Sequence, residues 1–214
     1  MVSRGVQTVI GALVATTLAA CLSPRSESGP IHTYLLRAEE FTWADKEPVG
    51  RTAASPVLLV GLPQAEAGFD TPRMAYVTRP YEVRYYAVNQ WADTPARMLA
   101  PLLVQALEKS GVWQAVIPMP SSFRGDYRLD TLDVALEQQF LETPSRVRVA
   151  LRAQLIDLKE PGVIGTRRFE VFEPAPSEDA YGGALGANRA VTKLLDQIAR
   201  WAVACLSKHP DCTQ

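Results

Sequence analysis

Residues 145–158, SRVRVALRAQLIDL, alternate between apolar and polar. Val147, Val149, Leu151, Ala153 and Leu155 fall on one side, and Arg146, Arg148, Arg152 and Gln154 on the other. A period of two over so long a run is a β-strand, because successive side chains leave a strand in opposite directions. One apolar side and one charged side predict a sheet with one face buried and one face wet, the pattern of antiparallel pairing. Such a strand needs neighbours along its edges and a layer over its apolar face.

The rest of the chain supplies both. VIGTRRFEVFE alternates with Phe169 and Val171 inward, and Pro161–Gly162 marks a hairpin turn before it. TPRMAYVTRPYEVRYYAVNQW reads as another hairpin: Met74 alternates with Tyr76, Val83 with Tyr85, and Arg79–Pro80 makes the turn. IHTYLLR, PVLLVGLPQ and VWQAVIP read as shorter strands. In DYRLDTLDVALEQQF the apolar phase changes: Tyr127 and Leu129 are odd, while Leu132, Val134, Leu136 and Phe140 are even. A strict period of two cannot do that, so a bulge or bend is predicted near Asp130.

Two segments have helical spacing instead. In DTPARMLAPLLVQALEKSG, Asp93 or Thr94 can cap, Pro95 fits the first helical position and Gly111 the C-terminal cap. Met98, Leu99, Leu102, Leu103, Ala106 and Leu107 form its apolar stripe. Pro101 predicts a later helix start or a kink. From about Asp179 to Cys205, Tyr181, Leu185, Val191, Leu194, Leu195, Ile198, Trp201 and Ala202 recur at helical spacing, with Gly182, Gly183 and Gly186 weakening the first turns. The expected fold is α+β: a mostly antiparallel sheet with both helices packed on one face, a two-layer sandwich.

The 214 residues suffice for one domain, and 47% hydrophobic with 21% charged residues is a globular mixture. A net charge of -1 with no basic stretch argues against nucleic acid as a partner. Catalytic and metal-binding patterns are hard to assemble. There are two histidines, His32 and His209, no paired Cys or His at metal spacing, no nucleophile elbow and no phosphate loop. The carboxylate pairs Glu39/Glu40 and Asp130/Asp133 read as solvated charge. The expectation is a non-enzyme without metal or cofactor.

The N-terminus reads as a targeting segment. Arg4 is a short positive region, Gly5 to Thr17 is uncharged and apolar, and Leu18-Ala19-Ala20-Cys21 follows. That box resembles the bacterial lipobox, at which lipoprotein signal peptides are cut and the cysteine thiol is acylated. On this reading residues 1–20 are removed, Cys21 carries the lipid, residues 21–30 (with LSPRSESGP) form a tether, residues 31–205 are the domain and 206–214 a tail. Buried acyl methylenes contribute roughly 0.8 kcal/mol each, so several chains anchor a protein stably where one does not. Leu22, rather than Asp, stands after Cys21, which directs such lipoproteins to the outer membrane, facing the periplasm. Cys205 and Cys212 remain, and an oxidising compartment allows them to pair; the alternative is one buried thiol and one tail thiol.

What stands out on the domain is aromatic and basic. Tyr76, Tyr85 and Trp91, with Arg146, Arg148 and Arg152, form a candidate docking surface, because aromatic and arginine side chains are common interface anchors. The bland alternative is core aromatics beneath a solvated face.

In order, LAAC, YLL, TPRMAYVTRPYEVRYYAVNQWADTPARMLAPLLVQALEKSG, YRLDTLDVALEQQF, RVRVALRAQLIDL and IARWAVA resemble the ABC-type transport auxiliary lipoproteins, among them the paraquat-inducible protein C lipoproteins. The resemblance implies a docking component of an MCE-type lipid transport system. Its partners would be an MCE-domain protein and, indirectly, a permease and an ATPase. A lipid carrier holding its cargo between sheet and helices is the alternative, and a homo-oligomer is left open.

Overall fold

A computed structural model describes residues 29–38, 55–207 and 212. The signal segment, Cys21, most of the tether, Glu39/Glu40 and His209 lie outside the described residues. Ile31 to Gln214 form one compact unit. Its elements are β1 (His32–Tyr34), β2 (Val57–Val60), β3 (Arg73–Arg79), β4 (Glu82–Trp91), α1 (Pro95–Lys109), β5 (Ala115–Pro118), β6 (Tyr127–Gln139), β7 (Arg146–Asp157), β8 (Gly162–Pro174) and α2 (Ala180–Leu206).

The strands form one eight-stranded sheet built around β6. One edge of β6 takes β7 along its whole length, and β7 takes β8, both antiparallel. The other edge is shared end to end. β2 pairs with Tyr127–Leu129 and β3 with Glu137–Gln139, both parallel to β6. β5 extends the sheet beyond β2, parallel to it, while β4 and then β1 extend it beyond β3. The sheet is therefore mixed, which corrects the mostly antiparallel expectation. Among the described residues, only the consecutive pairs β3–β4, β6–β7 and β7–β8 are antiparallel hairpins. Parallel neighbours need a crossover, and here whole elements, α1 among them, lie between the strands that pair.

Local chemistry shapes the elements. Thr94 caps α1 by accepting the Arg97 N–H, Pro95 is its first residue, and Gly111 adopts a positive φ of 70° just past its end. The helix does not start late. Pro101 sits inside it on the exposed side, where the missing N–H leaves the buried stripe intact. The phase change in β6 lies three residues beyond Asp130. Thr131 still faces inward, Asp133 takes φ 55°, and Val134 resumes the inward phase after the register shift between Leu132 and Ala135. Gly162 is already a strand residue, paired with Asp157, so the turn comprises residues 158–161.

Both helices bury their apolar stripes in a single core with the inward residues of β2, β6, β7 and β8. Leu155, Leu129, Val149, Leu194, Leu195 and Ile198 are among its fully buried members. The glycines of α2 have a tertiary purpose. A Cβ at Gly183 would lie 2.3 Å from Gln138 Oε1, and one at Gly186 2.8 Å from Val147 Cγ2. Small residues therefore bring the first turns of α2 down onto the sheet. The large residues expected inward there, Tyr181 and Leu185, turn outward.

Candidate docking surface

The outer face of the sheet carries the arginine row, and its partners decide what the row is. Arg148 lies 2.6 Å from Glu170 and 3.5 Å from Glu137, Arg152 3.3 Å from Asp133, and Arg146 3.1 Å from Glu142. Asp133 reaches Arg152 from the bulge of β6. The three arginines are thus each matched by a carboxylate. The face therefore presents alternating charge rather than a basic patch. Arg146 also stacks over Phe172, 4.6 Å from its centroid. It helps line a groove of about 360 Å³ with Thr143, Phe172 and Glu173.

Tyr85 stands on the same outer face. Its hydroxyl donates to the Gly68 carbonyl at 2.6 Å, and Arg73 lies 4.5 Å over its ring. Beneath it, Phe69, Ala75 and Ala135 make a small second cluster under the segment that joins β2 to β3. That segment continues along β6 through the hydrogen bonds Gln64 N–H to Thr131 O and Glu66 N–H to Val134 O. Tyr85 therefore holds a covering loop in place.

Trp91 is not on the surface. It is 3% exposed, in the core beside Met74, so it cannot touch a partner. The strand pairing explains this. β4 shifts register against β3 between the Ala75–Tyr85 and Arg73–Gln90 pairs, so Trp91 lies on the inward side.

Tyr76 lies on the inner face, in an aromatic group at the start of α2. Its ring is 4.8 Å from Tyr86 and 6.0 Å from Phe140, and Tyr34 is 6.3 Å from Tyr181. Tyr86 donates to Gln138 Oε1 at 3.0 Å, and Gln138 Nε2 donates to Ser145 Oγ at 3.0 Å. Burial, with the Asp179 charge adding to it, holds the Tyr86 phenol well above the usual tyrosine range, and Tyr34 shifts the same way for the same reasons. Asp179 is held below the carboxylate range by the Gly182 N–H it accepts at 2.7 Å and by the Ser177 hydroxyl. Neutral phenols beside a capping carboxylate can stack and donate hydrogen bonds; no nucleophile is activated among them.

Sequence reading missed Tyr34, Phe140, Phe172 and Tyr181 as surface or semi-surface aromatics. For Tyr181 a signal existed: Gly183 and Gly186, three apart, mark the close-approach side of the helix, and Tyr181 and Leu185, four apart, lie on the other. Cys205 and Cys212 are bonded, with Cα atoms 4.7 Å apart. Cys212 is buried against Gly165 and Trp201, where a Cβ on Gly165 would clash with it at 2.7 Å. Among the described residues, no group of three or more His, Cys, Asp or Glu could hold a metal, and no helix is long and apolar enough to cross a membrane.

With this geometry in view, residues 40–199 match the family model of the ABC-type transport auxiliary lipoprotein component. The chain belongs to that family. A solved Xanthomonas campestris protein of family DUF330 is similar at 26% identity, covering 83% of this chain and 97% of that one, with a TM-score of 0.67. A second structure, of an uncharacterised protein, shares the fold at 13% identity over 80% of this chain and 97% of its own, with a TM-score of 0.58. No curated protein matches.

Proposed function

We propose that the chain is a non-catalytic docking component of an MCE-type ABC lipid transport system. It is lipid-anchored at Cys21 in the outer membrane and faces the periplasm, with residues 1–20 removed, 21–30 as tether, 31–205 as the working domain and 206–214 as a clipped tail. The observation that carries docking rather than carriage is the close seating of α2. Between it and the sheet, beside Gly183, Ala187, Met74 and Trp91, the gap is about 10 Å³. That is room for one water, not for an acyl chain. The oxidised Cys205–Cys212 pair suits the compartment.

Cross-linking intact envelopes and pulling down the protein should recover an MCE-domain component. Recovery of none would overturn the docking reading. Native mass spectrometry should find no co-purified lipid inside the domain, and a bound lipid would favour the carrier alternative. A Cys21→Ser chain should leave the membrane fraction; a chain that stays there refutes the anchor.

A further inference from the structure

β8 is an outer strand of the sheet. It pairs with β7, and among the described residues no strand pairs along its other edge. From Gly165 to Pro174 the β7–β8 register runs without a shift. The Ala175 N–H donates to the Ser145 carbonyl at 2.8 Å, in step with that register. Backbone polar groups point alternately to the two sides of a strand. The odd-numbered residues of this run therefore turn theirs to β7, and Thr166, Arg168, Glu170 and Phe172 turn theirs outward.

Both ends of the edge are closed. At one end the register shift leaves out Ile164, whose carbonyl lies 3.6 Å from Cys212 Sγ in the disulfide clip. At the other, Pro174 has no N–H, and its carbonyl accepts from Arg189 Nη2 at 2.6 Å. The open stretch between them, Thr166 to Phe172, is centred on Phe169.

The charges on this stretch have an order. Across β7–β8, Arg168 stands opposite Arg152, a like charge. The carboxylate it approaches on its own strand, Glu170, is 4.0 Å away and is already held by Arg148 at 2.6 Å. Phe172 beside them is 39% exposed. Charges on an edge usually repel an added strand. Here an antiparallel copy of the same stretch, related by a two-fold axis at Phe169, sets Arg168 opposite Glu170 twice and Thr166 opposite Phe172 twice. The outward N–H and C=O groups then face one another in each of those pairs. Moving the axis to Arg168 or to Glu170 places like charge against like. The edge is thus complementary to itself in one register.

We propose that this edge is a homodimer interface: two copies pair antiparallel through Thr166–Phe172 about a two-fold axis at Phe169, joining their sheets. The contact is isologous, so it closes at two copies. A strand edge of this length is small for a stable interface, so the dimer forms reversibly and dissociates on dilution. The pairing is independent of the transport partner named above.

The test co-expresses two differently tagged copies of the full chain, extracts them in detergent and measures how much of one copy is recovered with the other. The native pair should co-purify. Arg168→Glu in both copies, or Glu170→Lys in both, should lower recovery several-fold, because each sets two like-charged pairs across the axis. One copy with Arg168→Glu and the other with Glu170→Lys should restore it, since every pair is again of opposite sign. No recovery of the native pair overturns the interface. Recovery that is equal in all combinations, or that the mixed pair fails to restore, also overturns it. So does capture at this edge of a different protein's strand in place of the second copy. Should a reversal lower the unfolding midpoint, the register is read by mixing Arg168→Cys with Glu170→Cys in membranes under mild oxidation. A cross-linked dimer several-fold more abundant in the mixture than with either variant alone is expected, and equal or no cross-linking refutes the pairing.

Discussion

The two faces of β7 differ in how much each contact contributes. On the inner face Val147, Val149, Leu151, Ala153 and Leu155 are buried in one continuous core with both helices. On the outer face Arg146, Arg148 and Arg152 hold carboxylates across neighbouring strands and loops. Removal from water drives the first set, roughly 25 cal/mol per Å² of apolar surface. In the second set the Arg146 and Arg152 pairs are exposed and screened, each worth about 0–1 kcal/mol, whereas Arg148 pairs with the buried Glu137. The inner face determines the fold. The exposed Arg146 and Arg152 pairs of the outer face contribute little to it.

That contrast is open to measurement. Leu155→Ala should remove about 2–5 kcal/mol by opening a cavity at a site without solvent exposure, read by urea unfolding; a loss below that of a surface substitution would break the comparison. Cys212→Ser should lose about 2–3 kcal/mol, since the bond closes a short loop onto the inner layer at Gly165 and Trp201. A reducing agent should have the same effect on the native chain and none on the variant.

Asp179→Ala should cost about 1 kcal/mol through loss of the α2 cap, measured by thermal unfolding. Its pH signature is distinct. The folded pKa lies below the ordinary value, so the stabilisation is complete above that value, near 3.9, and disappears as pH falls through the lowered one. Asp126 behaves alike, lowered first by its hydrogen bond with Lys159 and then by the Val57 N–H. Acid titration of stability should therefore flatten below about pH 4 in Asp179→Ala relative to the native chain. Smallest of all, Arg152→Ala should change stability by no more than about 0.5 kcal/mol, because both partners of its Asp133 pair are half exposed.

Much of the fold was readable residue by residue. The strict alternation of β7 named its buried side without error, and Thr94, Pro95 and Gly111 placed both ends of α1. Such signals are local: a cap or a period of two is written within a few residues. The phase change of β6 was also visible, but its position was not, because Thr131 is polar and buried. Trp91 was misplaced for a related reason. The register shift that turns it inward depends on which strand lies beside β4, and a count along the chain does not contain that. The arginine row was located correctly, while the carboxylates that neutralise it came from Glu137, Glu142, Glu170 and Asp133, up to 22 residues away.

By itself the sequence determined the elements, the buried side of the long strand, the two candidate partners for a disulfide and the family to which the order of motifs belongs. Only the tertiary structure decided that β2 and β3 share one edge of β6 in parallel, that α2 uses glycine to sit close on the sheet, and which aromatics gather by the first turn of α2. The physical reason is range. Hydrogen-bond period, caps and hydrophobic phase act between residues a few positions apart. Strand direction, close approach and the neighbours of a surface side chain are set by segments far apart along the chain.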